Sequence, residues 1–600
     1  MIKLSDYIMR RIVETGVKHV FMVPGGGAMH LNDSLGRCHE LEYVCNLHEQ
    51  ASAIAAETYS KVTGNFGVAL VTTGPGGTNA VTGVAGAWLD STPCLFVSGQ
   101  VKRSDLSKGQ GIRQLGVQEV DIVSIVKPIT KYAETVTDPA TIRYHIDKAL
   151  HLARTGRPGP VWIDLPLDVQ SALVDPETMA GYTPEPEPTE DQARLVELVA
   201  QTITMLNRAE RPVLLLGNGV RLARAEKEFF RLVDLLKVPV LATWLAIDIM
   251  AEDHEWYAGR PGAVAPRGAN FTLQNSDFLI TLGARLDLVL TAFSHENFAR
   301  GARKVMVDID QAEIGKMKTP IDVPICVDVG AFLREFLRQS ETVVRKERAH
   351  WVARCREWKE RYPVVLPEHR DRTGRVSTYA LAEAIGEELT GDEIVVSGSS
   401  GSGIEIFLHA YKVKRGQRIL HTTALGAMGF GLPASIGACL GGKRKPTITV
   451  DGDGGFLFNI QELETVARLQ LPAKYFILNN DGFSSIRASQ AYWFKDNLVA
   501  ADATSGLTLP DIGKVAASFG LATAQIRDQA DLRKQVRTVL RTPGPVVCEV
   551  MVIPDEERKP RVSSTQRFDG TFVSKPLEDM FPFLERDEFL SNMIIPPLAD

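Results

Sequence analysis

The stretch from Val450 to Asn480 reads VDGDGGFLFNIQELETVARLQLPAKYFILNN and decides the fold. It predicts a β-branched strand over Thr447–Val450, a glycine-rich turn over Asp451–Gly455, a helix, and a second buried strand over Tyr475–Leu478. The helix is predicted from apolar residues at helical spacing, namely Ile460, Leu463, Val466 and Leu469. A strand, a helix and a further strand in this order form the repeating unit of a parallel sheet.

Two polar side chains follow the two predicted strands. Asp453 and Asn480 would lie at the carboxyl ends of neighbouring parallel strands, where open α/β sheets bind their ligands. A carboxylate, an amide oxygen and a nearby carbonyl form a set of hard oxygens suited to Mg²⁺. From these residues alone, an ordinary glycine-rich turn in a nucleotide-binding sheet is the alternative.

The pair of motifs, GDG at 452–454 and NN at 479–480, resembles the signature of thiamine diphosphate enzymes. The spacing agrees with that family, since 480 minus 453 is 27. The resemblance implies that Asp453, Asn480 and the carbonyl of Gly482 hold Mg²⁺ against the cofactor's diphosphate. It also implies that Met428 wedges the cofactor into a bent shape, although an isolated Met is equally a core residue. Other cofactor-binding residues implied in this region are Ser399, Ser400, Gly426, Gly452, Gly454, Gly455 and Phe483.

Length and composition limit the possible functions. Six hundred residues predict several domains, because single cores stop growing near ~250–300 residues. The chain is 44% hydrophobic and 23% charged, with a formal net charge of −6 and no basic stripe, so nucleic-acid binding is disfavoured. No apolar run approaches the ~20 residues of a membrane span, and the start is not a signal peptide. Cytoplasmic location is expected. The seven cysteines contain no CxxC pair and predict neither a disulfide framework nor a zinc site.

Residues 1–175 alternate helical patterns with short apolar strands, which predicts a parallel sheet covered by helices on both faces. The sequence HEQASAIAAETYSKVTG at 48–64, followed by TTGPGGTN at 72–79, resembles the pyrimidine-binding domain of thiamine diphosphate enzymes, particularly the acetohydroxyacid synthase branch. In that family the residue matching Glu49 binds N1′ of the aminopyrimidine, whereas an ordinary Glu at this place would be an exposed helix-start carboxylate. Gln118 matches the family's active-site glutamine, although the preceding loop is longer here. The implied cofactor contacts in this domain are Gly26, Gly27, Thr73 and Asn79.

A Pro- and Glu-rich linker at 176–192 precedes a second α/β pattern over 193–345. Its strand-ending turns contain Gly217, Gly219 and Arg285, and such glycines let backbone N–H groups reach a pyrophosphate. This domain resembles the flavin-binding central domain of acetohydroxyacid synthases, and the resemblance implies FAD. Other thiamine enzymes leave this domain empty or bind a nucleotide that takes no part in chemistry. The implied contacts outside the glycine turns are Arg157, Asp308 and Asp310.

A charged linker leads to a third domain over 372–555, and a tail covers 556–600. RTPGPVVCEV from 541 echoes GRPGPVWIDL from 156, which suggests that the first and third domains are related folds. The sequence therefore predicts an α/β protein with three doubly wound parallel-sheet domains: pyrimidine-binding, central FAD/nucleotide-type and diphosphate-binding. The resemblance implies a homodimer or homotetramer, because these enzymes pair domains from two subunits. Tail residues expected to pack across the active-site mouth are Met580, Phe581, Phe583, Leu584 and Phe589.

The resemblance implies a decarboxylating carboligase that converts a 2-keto acid, such as pyruvate, into an acyl donor. Three departures concern the acceptor: Val289 replaces an arginine that holds the second keto acid's carboxylate, Leu167 replaces a lysine, and Ser489 replaces an acceptor-selecting tryptophan. A neutral ketone or aldehyde acceptor is therefore expected. The alternatives are an acetolactate synthase, a simple 2-keto acid decarboxylase and a catalytically silent paralogue.

Overall fold

Three six-stranded sheets organise the protein, and every strand pairing inside them is parallel. The structure is a computed structural model that describes residues 1–107, 109–185, 192–398, 401–495, 497–566 and 568–598. In spatial order, the first sheet contains Glu42–Cys45, His19–Met22, Gly67–Val71, Cys94–Gln100, Val161–Pro166 and Tyr132–Thr135. The central sheet contains Tyr257–Gly259, Val240–Ala242, Pro212–Leu216, Phe278–Leu282, Arg303–Asp308 and Val323–Cys326. The third sheet contains Arg418–Leu420, Ile394–Ser397, Thr447–Gly452, Ala473–Asn479, Val546–Met551 and Ala522–Ile526.

The order of the strands relates the domains to one another. When strands are counted along the chain within each sheet, the first and third sheets share the order 2-1-3-4-6-5. The two Pro-Gly-Pro segments precede the equivalent sixth strand in both sheets, which explains the sequence echo. The central sheet has the order 3-2-1-4-5-6, which is the order of dinucleotide-binding domains. The predicted fold class, an α/β protein of three parallel-sheet domains, is confirmed.

Helices cover both faces of the sheets, because strands of a parallel sheet are buried on both sides. The main helices of the first domain are Leu4–Glu14, Met29–Arg37, Glu49–Thr63, Pro75–Leu89 and Ile142–Arg154. Those of the central domain and the following linker are Gln192–Arg208, Glu226–Leu236, Arg267–Gln274, Val329–Arg338 and Ala349–Arg361. Those of the third domain are Thr378–Glu388, Gly431–Gly441, Asp453–Leu457, Leu463–Arg468, Ser484–Phe494, Ile512–Ser518 and Leu532–Arg541. Among the described residues, no helix has the length and apolar character needed to cross a bilayer.

The first and third domains pack together through two small-residue helices, Glu49–Thr63 and Gly431–Gly441. The Thr58 hydroxyl donates to the Ala434 carbonyl at 3.0 Å. A Cβ atom on Gly437 would lie 2.0 Å from the Ala55 carbonyl oxygen, so only glycine permits this approach. The close packing fixes the helix that begins with Glu49 against the domain that carries Asp453.

The opening stretch of the third domain differs in detail from its prediction. The first strand continues to Gly452, and Asp453 begins a short helix, Asp453–Leu457, where a turn was expected. The predicted single helix is a 3₁₀ turn, Ile460–Glu462, followed by Leu463–Arg468. Glycine at position 454 lets this helix lie against Phe483, because a Cβ there would be 2.2 Å from the Phe483 ring.

The tail packs on the central domain. Asn270 donates to the carbonyl of Leu577 at 2.8 Å, and Trp358 donates to Asn592 Oδ1 at 2.8 Å. Met580 and Phe589 are buried, Leu584 is partly buried, and Phe583 is exposed. Much of the tail's apolar surface is thus covered by the helices Arg267–Gln274 and Ala349–Arg361. A position over the active-site mouth stays a prediction, as do the domain boundaries.

Candidate functional site

Three oxygen-bearing residues meet at the carboxyl edge of the third sheet. The Asp453 carboxylate accepts the backbone N–H groups of Gly454 at 2.7 Å, Asn480 at 3.1 Å and Gly482 at 3.2 Å. This arrangement ties the turn after Ala473–Asn479 to the helix that begins at Asp453. Burial raises the pKa of Asp453 to about 6, although the three N–H donors oppose the shift.

The side chain of Asn480 has an unused acceptor. Its Nδ2 donates to the Ser484 hydroxyl at 3.2 Å, while its Oδ1 is buried and accepts no hydrogen bond from the described residues. Buried polar atoms without partners are rare and call for an explanation. A cation held between Asp453, Asn480 Oδ1 and the Gly482 carbonyl would satisfy it, so the residues present fit Mg²⁺. In the described part of the chain no group of three or more His, Cys, Asp or Glu side chains could hold a metal. The proposed Mg²⁺ ligands differ from such a group, because they comprise one carboxylate, one amide oxygen and one backbone carbonyl oxygen.

We expect Gly482→Ala to disrupt this turn. Gly482 has a φ of +130°, and an added Cβ would lie 2.4 Å from the Ala501 carbonyl oxygen. Backbone strain of this kind costs about 1–3 kcal/mol, and the backbone clash would also displace the turn. In a titration of thiamine diphosphate binding, the variant should therefore require higher concentrations of both Mg²⁺ and the cofactor than wild type. Gly506→Ala is the matched control, because Gly506 also has positive φ (+98°) but open space around it. Equal Mg²⁺ titrations for the two variants would contradict the expectation.

Arg487 is a residue that sequence analysis did not identify. It is buried, and its guanidinium donates to the carbonyl of Asn480 at 3.0 Å and pairs with Asp555 at 2.8 Å. Arg487 therefore connects the Asn480–Gly482 turn to the segment that follows the strand Val546–Met551 of the third sheet. Arg487 carries no sequence signal for this role, since most of its partners are backbone carbonyls and Asp555 is 68 residues away along the chain.

A second cluster forms at the carboxyl edge of the first sheet. Glu49 is buried as the first residue of its helix, and Asn79 Nδ2 donates to its Oε2 at 3.0 Å. Thr73 donates to Gln100 Oε1 at 2.8 Å. Gln118 has a positive φ of 66°, and its carbonyl oxygen would be 2.2 Å from a Cβ on Gly74. These contacts bring the predicted residues of this domain together and add Gln100.

Gly26 and Gly27, the predicted cofactor contacts after the strand His19–Met22, lie beside the same cluster. A Cβ on Gly27 would lie 2.7 Å from Thr73 Cγ2, so this glycine allows the turn to pack on the next strand end. Gly26 has open space within 4 Å of its Cβ position. Packing therefore requires glycine at position 27 but not at position 26, and the contact of Gly26 with the cofactor stays a prediction.

Glu462 links the two clusters within one chain. Its Oε1 accepts the backbone N–H groups of Leu47 at 2.8 Å and His48 at 3.1 Å, and its Oε2 accepts from Asn46 Nδ2 at 2.9 Å. The third domain thus holds the segment just before Glu49. Among the described residues, no hydrogen bond or ion pair joins Glu49 itself to Asp453 or Asn480.

The Gly426–Met428 loop lies between these clusters in the chain. Gly426 has a φ of +65°, and its N–H donates to the Thr422 carbonyl at 2.6 Å. Gly426 is exposed and Met428 is half-buried, so neither is core filler. Ser399 and Ser400, predicted beside the diphosphate, lie outside the described residues. Gly452 and Gly455 are buried next to Asp453 in the strand and helix that it joins.

A cavity of about 680 Å³ opens at the switch point of the central sheet, between the strands Pro212–Leu216 and Phe278–Leu282. Its lining includes four residues predicted to contact a flavin nucleotide: Arg157, Gly219, Arg285 and Asp308. Burial raises the pKa of Asp308, which accepts the Asp310 N–H at 3.0 Å. An acidic side chain at a strand end of such a sheet is placed to bind a ribose hydroxyl.

The N–H groups of the two glycines in the first turn are used within the protein, and contact of these glycines with a nucleotide stays a prediction. The N–H groups of Gly217 and Gly219 donate to the carbonyls of Leu282 at 2.9 Å and Gly283 at 3.0 Å. They are thus unavailable to a pyrophosphate, and the glycines instead let two strand-end turns touch. The N–H groups of Ala284 and Arg285 make no hydrogen bond within the described residues. The turn that follows Gly283 therefore has two backbone N–H groups that could bind an anion.

Arg157 reaches the cavity from the first domain. Its guanidinium pairs with Asp310 at 2.9 Å and Glu313 at 2.8 Å, and it donates to the Ser91 hydroxyl at 2.9 Å. Two carboxylates already neutralise its charge, so it contributes shape and hydrogen bonds more than net charge. A larger cleft, about 1190 Å³, lies between the central and third domains and contains none of the predicted site residues.

The three residues that depart from the acetohydroxyacid synthase pattern differ in their exposure to solvent. Val289 and Ser489 are exposed, while Leu167 is half-buried as the first residue of a short helix. The carbonyl of Val289 accepts the Ala263 N–H at 2.8 Å, and its N–H donates to Asp287 at 3.0 Å. The backbone at Val289 is therefore held while its side chain faces outward.

The sequence matches three domain families at successive positions along the chain. They are the N-terminal TPP binding domain of thiamine pyrophosphate enzymes at residues 2–125, their central domain at 199–336, and their C-terminal TPP binding domain at 401–550. The chain belongs to the thiamine pyrophosphate enzymes, and thiamine diphosphate is its cofactor.

Its relatives place it in the acetolactate synthase-like branch. The chain is 32% identical over 558 residues to the acetolactate synthase isozyme 1 large subunit of Escherichia coli (strain K12), covering 93% of this chain and 95% of that protein. It is also 32% identical to acetolactate synthase 2, chloroplastic, of Nicotiana tabacum, covering 94% and 84%, and to the acetolactate synthase large subunit of Pyropia yezoensis, covering 93% of each. The protein is thus a thiamine diphosphate-dependent enzyme that forms carbon–carbon bonds, and the predicted family is confirmed.

Proposed function

We propose that the enzyme decarboxylates pyruvate, or a similar 2-keto acid, and transfers the acyl group to a neutral ketone or aldehyde. The observation that carries this proposal is the character of residues 286–294. Asp287 is their only charged residue, and Leu288, Val289 and Phe293 are each about half exposed or more. An acceptor carboxylate would meet an apolar surface and an acid there, which costs free energy unless a cation pairs with it.

The site residues have the following roles in this proposal. Asp453, Asn480 and the Gly482 carbonyl hold Mg²⁺, which binds the diphosphate. Asn79 occupies only Oε2 of Glu49, which leaves Oε1 to hold a proton against N1′ of the aminopyrimidine. Gln118 borders the same edge and orients the substrate. When bound, thiamine diphosphate supplies a nucleophilic carbon and an electron sink for decarboxylation.

FAD in the central cavity is also part of the proposal. The support is the dinucleotide-type strand order, the 680 Å³ cavity at its switch point, and the unused N–H groups after Gly283. A homodimer or homotetramer, in which a second subunit brings Glu49 to the diphosphate domain, follows from the family resemblance, and so does a cytoplasmic location. An absorbance band of flavin in the purified protein would test the FAD assignment directly.

The second candidate function is an acetolactate synthase with an altered acceptor site. It is favoured by identity of 32% to acetolactate synthases along nearly the whole chain. The two candidates differ only in the acceptor. A competition assay that offers pyruvate together with a neutral ketone distinguishes them, because each predicts a different product in excess.

We expect Val289→Arg to shift that competition toward acetolactate. A guanidinium on this held backbone would pair with the second keto acid's carboxylate, and hydrogen bonds to charged groups contribute about 1.5–3 kcal/mol. The ratio of acetolactate to ketone adduct, measured by mass spectrometry, should rise about tenfold. Val289→Gln has a similar length without charge and should leave the ratio near the wild-type value. An equal ratio in all three proteins would show that Val289 does not face the acceptor.

A further inference from the structure

One segment, Arg418–Met428, contacts all three domains; we call it the junction segment. Arg418 donates to the Lys61 carbonyl of the first domain at 2.7 Å and forms an ion pair with buried Asp248 of the central domain. Asp248 also pairs with Arg221 at 2.7 Å. The beginning of the segment is therefore fixed by charged contacts from both neighbouring domains.

His421 continues this connection toward the central cavity. Its Nε2 lies 2.9 Å from the Trp244 carbonyl and its Nδ1 lies 3.2 Å from the Thr423 hydroxyl. Because a carbonyl can only accept, Nε2 carries the proton and Nδ1 accepts from Thr423. Burial lowers the pKa of His421, which agrees with this neutral form. The ring is thus a fixed bridge between the central domain and the junction segment.

The middle and the last part of the segment lie at two different predicted cofactor sites. Thr423 and Ala424, together with Trp244, line the 680 Å³ central cavity. Gly426 and Met428, the predicted thiamine contacts, come two and four residues after Ala424, and the Gly426 N–H donates to the Thr422 carbonyl. The Thr422 carbonyl belongs to the peptide unit that joins Thr422 to Thr423, so a change in the position of Thr423 moves the acceptor of the Gly426 hydrogen bond.

The Gly426–Met428 loop also has a neighbour in the first domain. A Cβ atom placed on Gly86, in the helix Pro75–Leu89, would lie 3.8 Å from Leu425 Cδ2, so the Leu425 side chain lies beside this helix. The first turns of the same helix carry Asn79, which binds Glu49. The loop thus lies between the cavity wall and the helix that carries Asn79, with Leu425 itself about one-third exposed.

We propose that the junction segment couples the two cofactor sites, so that a flavin nucleotide in the central cavity tightens the binding of thiamine diphosphate. The bound nucleotide restrains Thr423 and Ala424, and the restrained loop presents Gly426 and Met428 in one position. The coupling is reciprocal, because each ligand must change the affinity of the other by the same factor. His421 is a positioning residue for this coupling, which rests on the proposed FAD and thiamine sites.

The test measures thiamine diphosphate affinity by calorimetry at saturating Mg²⁺, with and without saturating FAD, in full-length protein stripped of cofactors. Couplings between sites are commonly ~5- to 150-fold, so we expect FAD to tighten binding about fivefold or more. His421→Asn can reach Thr423 but not Trp244, and should reduce the effect to below about twofold. His421→Gln places an amide nitrogen near the Nε2 position and should retain most of it. FAD affinity, followed by flavin fluorescence, should be enhanced by thiamine diphosphate by the same factor.

The outcomes separate this proposal from the proposed function. Equal thiamine affinities with and without FAD would overturn the coupling even if carboligation is intact. The same coupling in wild type and His421→Asn would overturn the positioning role of His421. A lack of FAD binding would overturn both the coupling and the FAD assignment. Intact coupling in a protein that forms no ketone adduct would overturn the proposed acceptor and leave the coupling standing. Thermal unfolding of each variant in the absence of ligands identifies any general loss of stability.

Discussion

Glu49→Gln should abolish turnover while leaving thiamine diphosphate bound. Glutamine keeps the size of the side chain and an oxygen that can accept from Asn79, which now contacts Glu49 Oε2 at 3.0 Å. It cannot hold or release a proton at the remaining position. Positioned acid–base groups contribute about 10²–10⁴-fold to rate, so carbon dioxide release from pyruvate should fall by at least ~100-fold.

The control for Glu49→Gln is affinity measured on the same protein. Calorimetric binding of thiamine diphosphate with Mg²⁺ should remain within a few-fold of wild type, because the Mg²⁺ set lies in the third domain. A rate equal to wild type would remove Glu49 from the chemistry. A loss of cofactor binding equal to the loss of rate would assign it a structural role instead.

Asp453→Asn should have the largest effect on Mg²⁺ and cofactor binding. The substitution removes the only carboxylate of the oxygen set and turns one of its acceptors into a donor facing backbone N–H groups, three of which now donate to Asp453. Removing groups that only orient a metal ligand costs roughly 10- to 100-fold in affinity. Loss of the ligand itself should raise the required Mg²⁺ concentration by about 100-fold or more.

Asp481→Asn is the matched control. Asp481 is the next residue after Asn480, it is exposed, and it pairs with Arg375 at 2.8 Å. Its neutralisation should change the Mg²⁺ titration by less than about twofold, since exposed ion pairs contribute ~0–1 kcal/mol. A larger effect for Asp481→Asn than for Asp453→Asn would place the ion elsewhere.

The inner strands of each sheet were predictable and several edge strands were not. Strands such as Cys94–Gln100 and Pro212–Leu216 are fully buried, so they appear in the sequence as continuous apolar runs. The strands without such a run are Glu42–Cys45, Tyr132–Thr135, Tyr257–Gly259, Arg418–Leu420 and Ala522–Ile526, each at a sheet edge. In Ala522–Ile526, only Ile526 is buried, and a strand with one neighbour needs no apolar run.

Residue types indicated the sites, but not which backbone atoms each site uses. Gly217 and Gly219 have the pattern of a phosphate turn, yet their N–H groups are bound to neighbouring carbonyls. A pattern of glycines shows where two chains can approach closely, and either a ligand or another turn can be the partner. The hydrogen bonds to the Leu282 and Gly283 carbonyls show that the partner here is the turn after the strand Phe278–Leu282.

Contacts between distant parts of the chain were also beyond sequence reasoning. Glu462 accepts from Asn46, which is 416 residues away, and holds the segment before Glu49. In the sequence it is one Glu of a predicted helix, where exposure to solvent is the ordinary expectation. Its burial follows from the packing of the first domain on the third, which no local pattern encodes.

The most direct measurement is mass-spectrometric analysis of products formed from uniformly ¹³C-labelled pyruvate with thiamine diphosphate, Mg²⁺ and an unlabelled neutral ketone. The predicted result is an adduct of the ketone that carries two labelled carbons, with one labelled carbon dioxide released for each adduct. Acetolactate as the sole product, with the ketone untouched, would contradict the neutral-acceptor assignment. Absence of any labelled carbon dioxide would contradict the use of pyruvate as donor.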